Sequence, residues 1–231
     1  MRFEGQNFLV LGGSGELGAE IASAIAAEGA QVIATASTEA GISRIPTGVH
    51  GFTLDLTSDI SIDLFVQQVT AAHNSLDGIV VASGRVGFAL SEETSMGMFN
   101  DLMTINATGP AAVINALFPL LKNHSCEKAV VMGITGIVVD QTFPGMSAYT
   151  ASKTALSAYL QSIAKEWRRY KIRTLDVRLG HTETGLATRP LFGQAPQMPT
   201  GHNPEMVVSK LIELIGIGDG VISGEGLFAG N

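Results

Sequence analysis

The chain has 231 residues, of which 45% are hydrophobic and 15% charged, so it can bury a substantial core and is neither disordered nor fibrous. Its formal net charge of -7 argues against a nucleic-acid partner, because binding to a phosphate backbone depends on a positive field. The single cysteine, Cys126, excludes an intrachain disulfide, and no spacing of cysteine and histidine predicts a metal site. These values favour one domain over residues 1–231 with a small-molecule partner.

Neither a signal peptide nor a membrane-spanning helix is expected from the sequence. Residues 1–7 lack a long apolar core, and the apolar run from Ala111 to Leu121 is too short to cross a bilayer and contains Pro119. A lone cysteine also suits a reducing compartment. We therefore expect a cytoplasmic protein without membrane contact.

Short apolar runs alternate with helical patterns along almost the whole chain, which is typical of β-α-β units that build a parallel sheet. Seven strands are predicted, in chain order Phe8–Leu11, Gln31–Thr35, Gly51–Leu54, Gly78–Val81, Lys128–Met132, Thr174–Arg178 and one near Leu227. The expected architecture is an α/β fold with a doubly wound parallel sheet (Rossmann fold) and helices on both faces. Residues Leu186–Asn203 collect prolines and glycines and predict a loop, a candidate lid over a substrate.

A glycine-rich turn follows the first predicted strand, where residues 12–18 read Gly-Gly-Ser-Gly-Glu-Leu-Gly and open a helix. Glycines allow a backbone to approach a pyrophosphate, whose charge suits the exposed N–H groups at a helix start. With the flanking strand and helix, the pattern favours dinucleotide binding over an ordinary tight turn. The residues predicted to bind a cofactor in this turn are Gly12, Ser14, Gly15, Leu17 and Gly18.

The end of the second predicted strand bears on which dinucleotide is bound. An acidic side chain there would normally hold the ribose diol of NAD, but Ala34–Thr38 contains no carboxylate. Ser37 and Thr38 are instead suited to donate to a 2'-phosphate, with Arg44 within reach, so we favour NADP(H) over NAD(H). The alternative is that both hydroxyls are merely solvated.

Tyr149 and Lys153 begin a strongly helical stretch and, at positions i and i+4, lie on the same face. A phenol with a pKa of about 10 is a poor acid–base catalyst near neutrality, and an adjacent ammonium favours its ionised form. On its own the spacing occurs often by chance, and an aromatic packed on a helix with a solvated lysine is the alternative. The glycine turn upstream makes the joint pattern more specific.

Together these motifs resemble the short-chain dehydrogenase/reductase family over nearly the whole chain, in its single-domain type with a divergent glycine motif. The resemblance implies hydride transfer between a nicotinamide and a carbonyl or secondary alcohol carbon. In the family the tyrosine, here Tyr149, exchanges the proton, while the lysine, here Lys153, holds the nicotinamide ribose and lowers the tyrosine pKa. Asn106 resembles the asparagine that anchors a water in the proton relay; the alternative is a mid-helix asparagine that only bonds to backbone.

The resemblance also implies cofactor contacts elsewhere in the chain. Asp55 looks like the family's aspartate beside the adenine, with a plain helix N-cap as its rival role. The turn after the fourth strand lacks the asparagine usual there, and a hydroxyl after the sixth strand is expected to contact the carboxamide or pyrophosphate. The contacts implied in addition to Asp55 are Leu56, Ser83, Gly84, Thr182 and Thr184.

Three further departures from the family concern the glycine turn and the substrate side. Glu16 stands at the middle glycine of the usual motif and should point outward, since it would repel a pyrophosphate; Leu179 replaces a proline. Counting back thirteen residues from the tyrosine to the family's catalytic serine gives Gly136, which has no side chain. A one-residue insertion in Ile137–Gly145 would bring Thr135 into that role, and we assign it the substrate oxygen; the alternative is that it only caps the strand or bonds to backbone.

The expected function is therefore an NAD(P)-dependent oxidoreductase acting on an apolar ketone or secondary alcohol. A catalytically silent NAD(P)-sensing protein is the alternative, and an epimerase or dehydratase is disfavoured because no sizeable C-terminal domain is present. The tyrosine-bearing helix displays more apolar surface than a sheet need cover, which predicts a homodimer or homotetramer. The apolar residues on this helix are Leu156, Tyr159, Leu160 and Ile163.

Overall fold

The structure is a computed structural model that describes residues 1–228, so the last three residues of the predicted domain lie outside the described residues. Seven parallel strands form one sheet: β1 (Asn7–Leu11), β2 (Gln31–Ala36), β3 (His50–Thr53), β4 (Gly78–Val81), β5 (Ala129–Ile134), β6 (Ile172–Arg178) and β7 (Gly220–Ser223). Their order across the sheet is β3-β2-β1-β4-β5-β6-β7. The chain thus winds outward from β1 to β3, returns to β4 and continues outward, which confirms the doubly wound topology.

Helices cover both faces of the sheet. Their bounds are α1 (Glu16–Ala27), α2 (Glu39–Ile42), α3 (Asp59–Ala72), α4 (Met96–Met103), α5 (Gly109–Ala116), α6 (Phe118–Lys122), α7 (Ser147–Trp167), α8 (Pro204–Ile217) and α9 (Gly224–Phe228). A π-helix, Thr104–Thr108, joins α4 to α5, and 3₁₀ turns lie at Ser91–Glu93, Ile137–Val139 and Arg168–Tyr170. Side chains of α1 and α8 form the core on one face, while those of α3, α5, α6 and α7 form the core on the other.

Because both faces are covered, the central strands β1, β4 and β5 are buried along almost their whole length. This is why they read in the sequence as continuous apolar runs. The parallel register aligns the carboxyl ends of β1, β4, β5 and β6 at one edge of the sheet. Residues that follow these strands therefore meet at that edge, on either side of the point where strand order reverses between β1 and β4.

The predicted strands differ from the observed ones mainly toward the C-terminus. The prediction of a last strand near Leu227 is wrong, because β7 is Gly220–Ser223 and Leu227 lies in α9. Leu227 is apolar because it packs into the core shared by α1 and α8, and so short a run does not distinguish a strand from a helical turn. β5 extends two residues beyond its predicted end, to Ile134, and β6 begins two residues earlier, at Ile172.

The predicted lid, Leu186–Asn203, is a loop between β6 and α8, as expected. Its neck is closed by backbone hydrogen bonds, since His202 N donates to His181 O (2.8 Å) and Glu183 N donates to His202 O (3.1 Å). Its tip is docked on the loop after β4. There Leu191 N donates to Val86 O (2.8 Å) and Phe88 N donates to Phe192 O (3.0 Å).

The apolar face of α7 is covered within the chain, so it does not support the predicted association into an oligomer. Leu156, Leu160 and Ile163 are buried within the chain's own core, and Tyr159 is partly buried, with its hydroxyl donating to Asn115 Oδ1 (2.8 Å). The sheet and its neighbouring helices cover this face because α7 packs over β5 and β6. Within residues 1–228, no helix combines the length and the apolar character that a bilayer crossing requires.

Candidate functional site

The glycine turn after β1 is tightly folded against its neighbours. Gly12 has φ +85°, and a Cβ on it would lie 2.7 Å from Ser83 Cα at the end of β4. A Cβ on Gly18 would collide with the carbonyl oxygen of Gly12, and one on Gly13 would lie 2.5 Å from Ala34 Cβ. Close packing thus requires glycine at these three positions of the turn.

This turn fits the pyrophosphate of a dinucleotide. The N-cap of α1, Gly15, provides no side-chain cap, so the amide groups of the first helical turn stay free for an anion. Ser14 and Leu17 stand on either side of this helix start, and Glu16 is exposed, as expected. Ser83 Oγ, against Gly12, is buried without a hydrogen-bond partner. An unpaired polar atom beside a cradle of glycines is the arrangement that a polar ligand would complete.

The structure at the end of β2 differs from what the sequence predicts there. Ser37 and Thr38 are exposed, but Thr38 Oγ1 accepts from Gly41 N (3.1 Å) and so caps α2. Arg44 lies close by, with its guanidinium 3.6 Å from the position of a Cβ on Gly41. Glu39, one residue past the segment considered above, accepts from Thr53 Oγ1 on β3 (2.6 Å). A carboxylate is therefore present at this strand end, which weakens the reason given for preferring NADP(H).

Asp55 and Leu56 follow β3. The carboxylate of Asp55 accepts from the backbone N–H (2.9 Å) and the hydroxyl (2.7 Å) of Thr57, forming a local turn. The rival role as a helix N-cap is wrong, since Ser58 caps α3. Asp55 stays exposed, and the carbonyl of Leu56 packs against Gly109 at the start of α5. Both residues lie at the edge of the sheet where the glycine turn lies.

Asn106 is fully buried in the π-helix and joins three parts of the site. Its Oδ1 accepts from Arg85 N (2.8 Å), and its Nδ2 donates to Arg85 O (2.9 Å) and to Ser152 Oγ (2.9 Å). The alternative of bonding to backbone is thus observed, together with a bond to α7. Asn106 fixes the loop after β4 against the helix that carries Tyr149 and Lys153.

Lys153 is buried, with 5% of its surface exposed. Its Nζ donates to the carbonyl of Ile134 at the end of β5 (2.9 Å). A Cβ on Gly84 would lie 3.0 Å from this Nζ and 3.2 Å from Asn106 Oδ1, so glycine at this point lets both polar groups border the backbone after β4. Burial lowers the pKa of Lys153 to about 8.

Tyr149 lies one turn before Lys153 on α7, with the lysine Nζ 6.0 Å from its ring centroid. Burial raises the pKa of its phenol to about 12. This is opposite to the lowering that the family resemblance implies, and its cause is the desolvation of the phenol by burial. The ring packs with Val86, Phe88 and Val138, and lid residues including Phe192 pack against this cluster. The lid therefore packs against the hydrophobic cluster that contains Tyr149.

Thr135 is not placed with the other predicted catalytic residues. It is fully buried, and its hydroxyl donates to the carboxylate of Asp176 on β6 (2.5 Å). The inferred insertion therefore does not bring this hydroxyl to the site, and the substrate-oxygen role assigned to Thr135 is corrected. Gly136, with φ +90°, follows it at the position reached by the uninterrupted count.

Thr182 and Thr184 lie at the neck of the lid. Thr182 pairs with His202 and its hydroxyl donates to Gly180 O (3.2 Å), while Thr184 O accepts from Arg189 Nη2 (3.0 Å). A cavity of about 520 Å³ lies within the lid and is lined by residues such as His181, Ala187 and Met198. None of its lining residues is a predicted catalytic residue, so this cavity is separate from the buried tyrosine.

Sequence reasoning missed three groups at the site. The Ile134 carbonyl holds Lys153, Ser152 holds Asn106, and the Asp176 carboxylate holds Thr135. Ser152 lies inside the segment that carries the tyrosine and lysine, so its place three residues after Tyr149 was a usable signal. The Ile134 carbonyl is a backbone group, and Asp176 lies 41 residues from Thr135, so neither leaves a comparable pattern in the sequence.

A second cluster, Asp77, His124 and Cys126, brings ligand-type atoms within 4.8 Å of one another at the opposite edge of the sheet. Asp77 Oδ1 already accepts from Ser125 N (2.7 Å) and Cys126 N (2.9 Å), and both ring nitrogens of His124 face backbone carbonyls. Burial raises the pKa of the Cys126 thiol to about 12. These groups satisfy backbone atoms around the start of β4 and β5 and do not favour a metal ion.

The family model for short chain dehydrogenases matches residues 6–190 of this chain, which includes the glycine turn, Asn106 and the Tyr149–Lys153 pair. The chain belongs to the short-chain dehydrogenase family. The expected resemblance is confirmed, and with it the assignment of the chain to a family of oxidoreductases.

Two curated relatives of this short-chain dehydrogenase carry the names of reductases. It is 28% identical over 211 residues to 3-oxoacyl-(acyl-carrier-protein) reductase FabG of Salmonella typhimurium, covering 87% of this chain and 85% of the relative. It is 24% identical over 221 residues to a fatty acyl-CoA reductase of Acinetobacter baylyi, covering 91% and 74%.

Solved structures of short-chain dehydrogenases share the fold. One from Streptomyces avermitilis has a TM-score of 0.82 at 24% identity and covers 94% of this chain and 88% of that one. A 3-ketoacyl-(acyl-carrier-protein) reductase of Brucella melitensis, complexed with NADH, has a TM-score of 0.83 at 18% identity and covers 98% and 100%. At these identities the likeness concerns architecture.

Proposed function

We propose that this short-chain dehydrogenase is an NAD(P)-dependent reductase of apolar carbonyl compounds in which Tyr149 donates the proton. The observation that carries the proposal is the continuous set of contacts across the sheet edge. The glycine turn packs on Ser83, Gly84 borders Asn106 and Lys153, and Lys153 lies one helical turn from Tyr149. A cradle for a dinucleotide is thus adjacent to a buried phenol and a buried ammonium.

The cofactor would be held by the glycine turn and by groups along the same edge. Gly12, Gly15 and Gly18 provide bare backbone and a free helix N-terminus for the pyrophosphate. Asp55 and Leu56 are proposed for the adenine, and Ser37 and Thr38 for the ribose. Toward the reacting end the proposed contacts are Ser83, Gly84, Lys153, Thr182 and Thr184. When bound, a nicotinamide cofactor supplies the hydride.

Tyr149 is proposed to give a proton to the carbonyl oxygen as reduction proceeds. A pKa of about 12 keeps the phenol protonated at neutral pH, which is the form in which a proton donor must begin. Lys153 is proposed to hold the nicotinamide ribose with the donors that its bond to Ile134 leaves free. Asn106 is proposed to hold a water on the route that returns the proton to Tyr149.

The proposed substrate is largely apolar. The side chains around Tyr149, from the loop after β4, from the 3₁₀ turn after β5 and from the lid, are hydrophobic or aromatic. Two similar proteins are named as reductases of fatty acyl or 3-oxoacyl compounds. The acyl groups of such compounds are also apolar. We therefore propose a ketone with an aliphatic chain, and do not assign a particular one.

The experiment that tests the proposal measures binding and turnover separately. NADPH and NADH are titrated against the protein by fluorescence, and consumption of each is followed with a panel of aliphatic ketones. Tyr149→Phe is expected to lower turnover by about 10³-fold or more while leaving the cofactor dissociation constant within about twofold. Near-normal turnover by Tyr149→Phe would show that another group donates the proton.

A cofactor-sensing protein without turnover remains the second candidate. It is favoured by the placement of Thr135, which leaves no predicted hydroxyl beside Tyr149 to hold a substrate oxygen. Tight NAD(P)H binding without oxidation by any ketone of the panel would support the sensor over the enzyme.

Residues 1–231 are proposed to form one domain of a cytoplasmic homodimer or homotetramer. Since α7 is covered within its own chain, exposed apolar side chains elsewhere, Ile217 on α8 and Val221 on the edge strand β7, are the better support for association. A monomer by light scattering at micromolar concentration would contradict the oligomer.

A further inference from the structure

A buried carboxylate lies behind the proposed catalytic pair, in the layer between the sheet and α7. Asp176 on β6 is 2% exposed. Its Oδ1 accepts from Thr135 Oγ1 (2.5 Å), and its Oδ2 accepts from Ser157 Oγ (2.7 Å) and from Arg178 Nη2 (3.0 Å). Burying a charge is costly unless it is paired and hydrogen-bonded, and here both conditions are met.

The hydroxyl partners of Asp176 lie on the two elements that hold Lys153. Thr135 directly follows Ile134, whose carbonyl accepts from Lys153 Nζ (2.9 Å). Ser157 is four residues after Lys153 on α7 and so lies one turn along the same helix face. One carboxylate therefore joins the strand end that accepts the lysine's hydrogen bond to the helix that carries the lysine.

Arg178 extends this connection to the wall around Tyr149. Its Nη1 forms an ion pair with Asp140, which ends the 3₁₀ turn Ile137–Val139, and its Nη2 also donates to Ser157 Oγ (3.2 Å). Val138 of that turn packs against the Tyr149 ring cluster. The same polar network thus fixes the loop after β5, the turn of α7 and the end of β6 relative to one another.

We propose that Asp176 is a positioning residue, which through Thr135 and Ser157 holds the Ile134 carbonyl and α7 in the register that Lys153 needs to bind the cofactor ribose. The inference rests on the proposed function. Among the described residues, Ile134 O is the one hydrogen-bond acceptor of Lys153 Nζ, so displacement of the strand end leaves the ammonium without its anchor.

Thr135→Val removes the hydroxyl with little change of shape and is the principal test. We expect the cofactor dissociation constant to rise roughly tenfold, which is the effect of one misplaced charge-assisted hydrogen bond. The ketone KM should change by less than about twofold, because Thr135 does not touch the substrate. Thr135→Ser restores the donor to Asp176 and should restore binding. Asp176→Asn should act like Thr135→Val.

The decisive measurement repeats Thr135→Val in a Lys153→Ala background. If Asp176 acts through Lys153, the substitution should no longer weaken cofactor binding once the lysine is gone. A general loss of structure would weaken binding by the same factor in both backgrounds, and that result overturns the inference. Tyr159→Phe removes a hydroxyl bond to Asn115 from the same helix and serves as the matched control, with unchanged binding expected.

The outcomes also separate this inference from the proposed function. If the parent protein binds neither NADH nor NADPH, the proposed function fails and the inference fails with it. If the parent binds and Thr135→Val binds equally well, only the inference is overturned. Should Asp176→Asn fail to fold by circular dichroism, the comparison of Thr135→Val with Thr135→Ser still decides the question.

Discussion

Around the carboxyl ends of β1 and β4 the site is made of backbone, whereas around the ends of β5 and β6 it is made of side chains that meet across long stretches of sequence. In the first region, Gly12, Gly13 and Gly18 pack so closely that a Cβ on any of them meets a neighbour. In the second region, Asp176, Arg178 and Asp140 form a polar network under Lys153. The first region leaves no room for a side chain at these three glycines, and the second depends on contacts between side chains.

The largest effect on stability at neutral pH is expected in the backbone region, from Gly18→Ala. A Cβ there meets backbone atoms of Gly12 and Gly13, which cannot rotate away as a side chain can. We expect the free energy of unfolding to fall by about 2–3 kcal/mol and cofactor binding to weaken. Gly15→Ala is the control, since its Cβ meets nothing nearer than Gly12 O at 3.3 Å. Urea unfolding compares the two, and equal stabilities would contradict the packing argument.

In the side-chain region, the buried charge of Lys153 predicts a dependence of stability on pH. Folding lowers the pKa of Lys153 from 10.5 to about 8, so between these pH values the unfolded chain binds more protons than the folded chain. The contribution of Lys153 to the free energy of unfolding should therefore rise with pH across this window, by about 3 kcal/mol at most. The raised pKa of Tyr149 acts with the opposite sign, and only above about pH 10.

The measurement is urea unfolding of the parent and of Lys153→Met at several pH values from 7.5 to about 10. The methionine variant lacks the titrating group but fills a similar volume. We expect the parent to gain stability relative to the variant as pH rises. A difference that does not change with pH would contradict the buried, lowered pKa.

Much of the backbone region was predictable from the sequence, because its determinants are local. An apolar run followed by closely spaced glycines and a helical pattern specifies a strand, a turn and a helix within about twenty residues. The four-residue spacing of Tyr149 and Lys153 is local in the same way. Thr135 was misassigned because its partner Asp176 lies on another strand, and the lysine's partner is a main-chain carbonyl of Ile134. Only tertiary structure reveals these pairs.

A smaller effect is expected where the lid meets the loop after β4. Gly193 has φ +71°, and a Cβ on it would collide with the carbonyl oxygen of Phe88. Gly193→Ala should undock the lid at a cost of about 1–2 kcal/mol, which corresponds to roughly tenfold faster proteolysis within the lid. Gly185→Ala is the matched control, since it shares a positive φ (+61°) but has no contact nearer than 3.5 Å. Equal cleavage rates for both variants would argue against docking through Phe88.

The smallest effect concerns the choice of cofactor at the end of β2. Ser37, Thr38 and Arg44 favour a 2'-phosphate, whereas the carboxylate of Glu39 disfavours it. We expect NADPH to bind more tightly than NADH, and Glu39→Gln to increase that preference by up to about tenfold because it removes a nearby negative charge. Titration of both cofactors measures the ratio. Tighter NADH binding by the parent would reverse the assignment.

The π-helix Thr104–Thr108 has a consequence for the helical stretch from Met96 to Ala116. In an α-helix each residue turns the chain by about 100°, so the one extra residue of the wider turn shifts the phase of everything after it. Before the shift, Phe99 and Leu102 face the tyrosine and the lid; after it, Val113 and Ile114 face the main core. The wider turn thus lets one continuous helical stretch present side chains to two differently oriented surfaces.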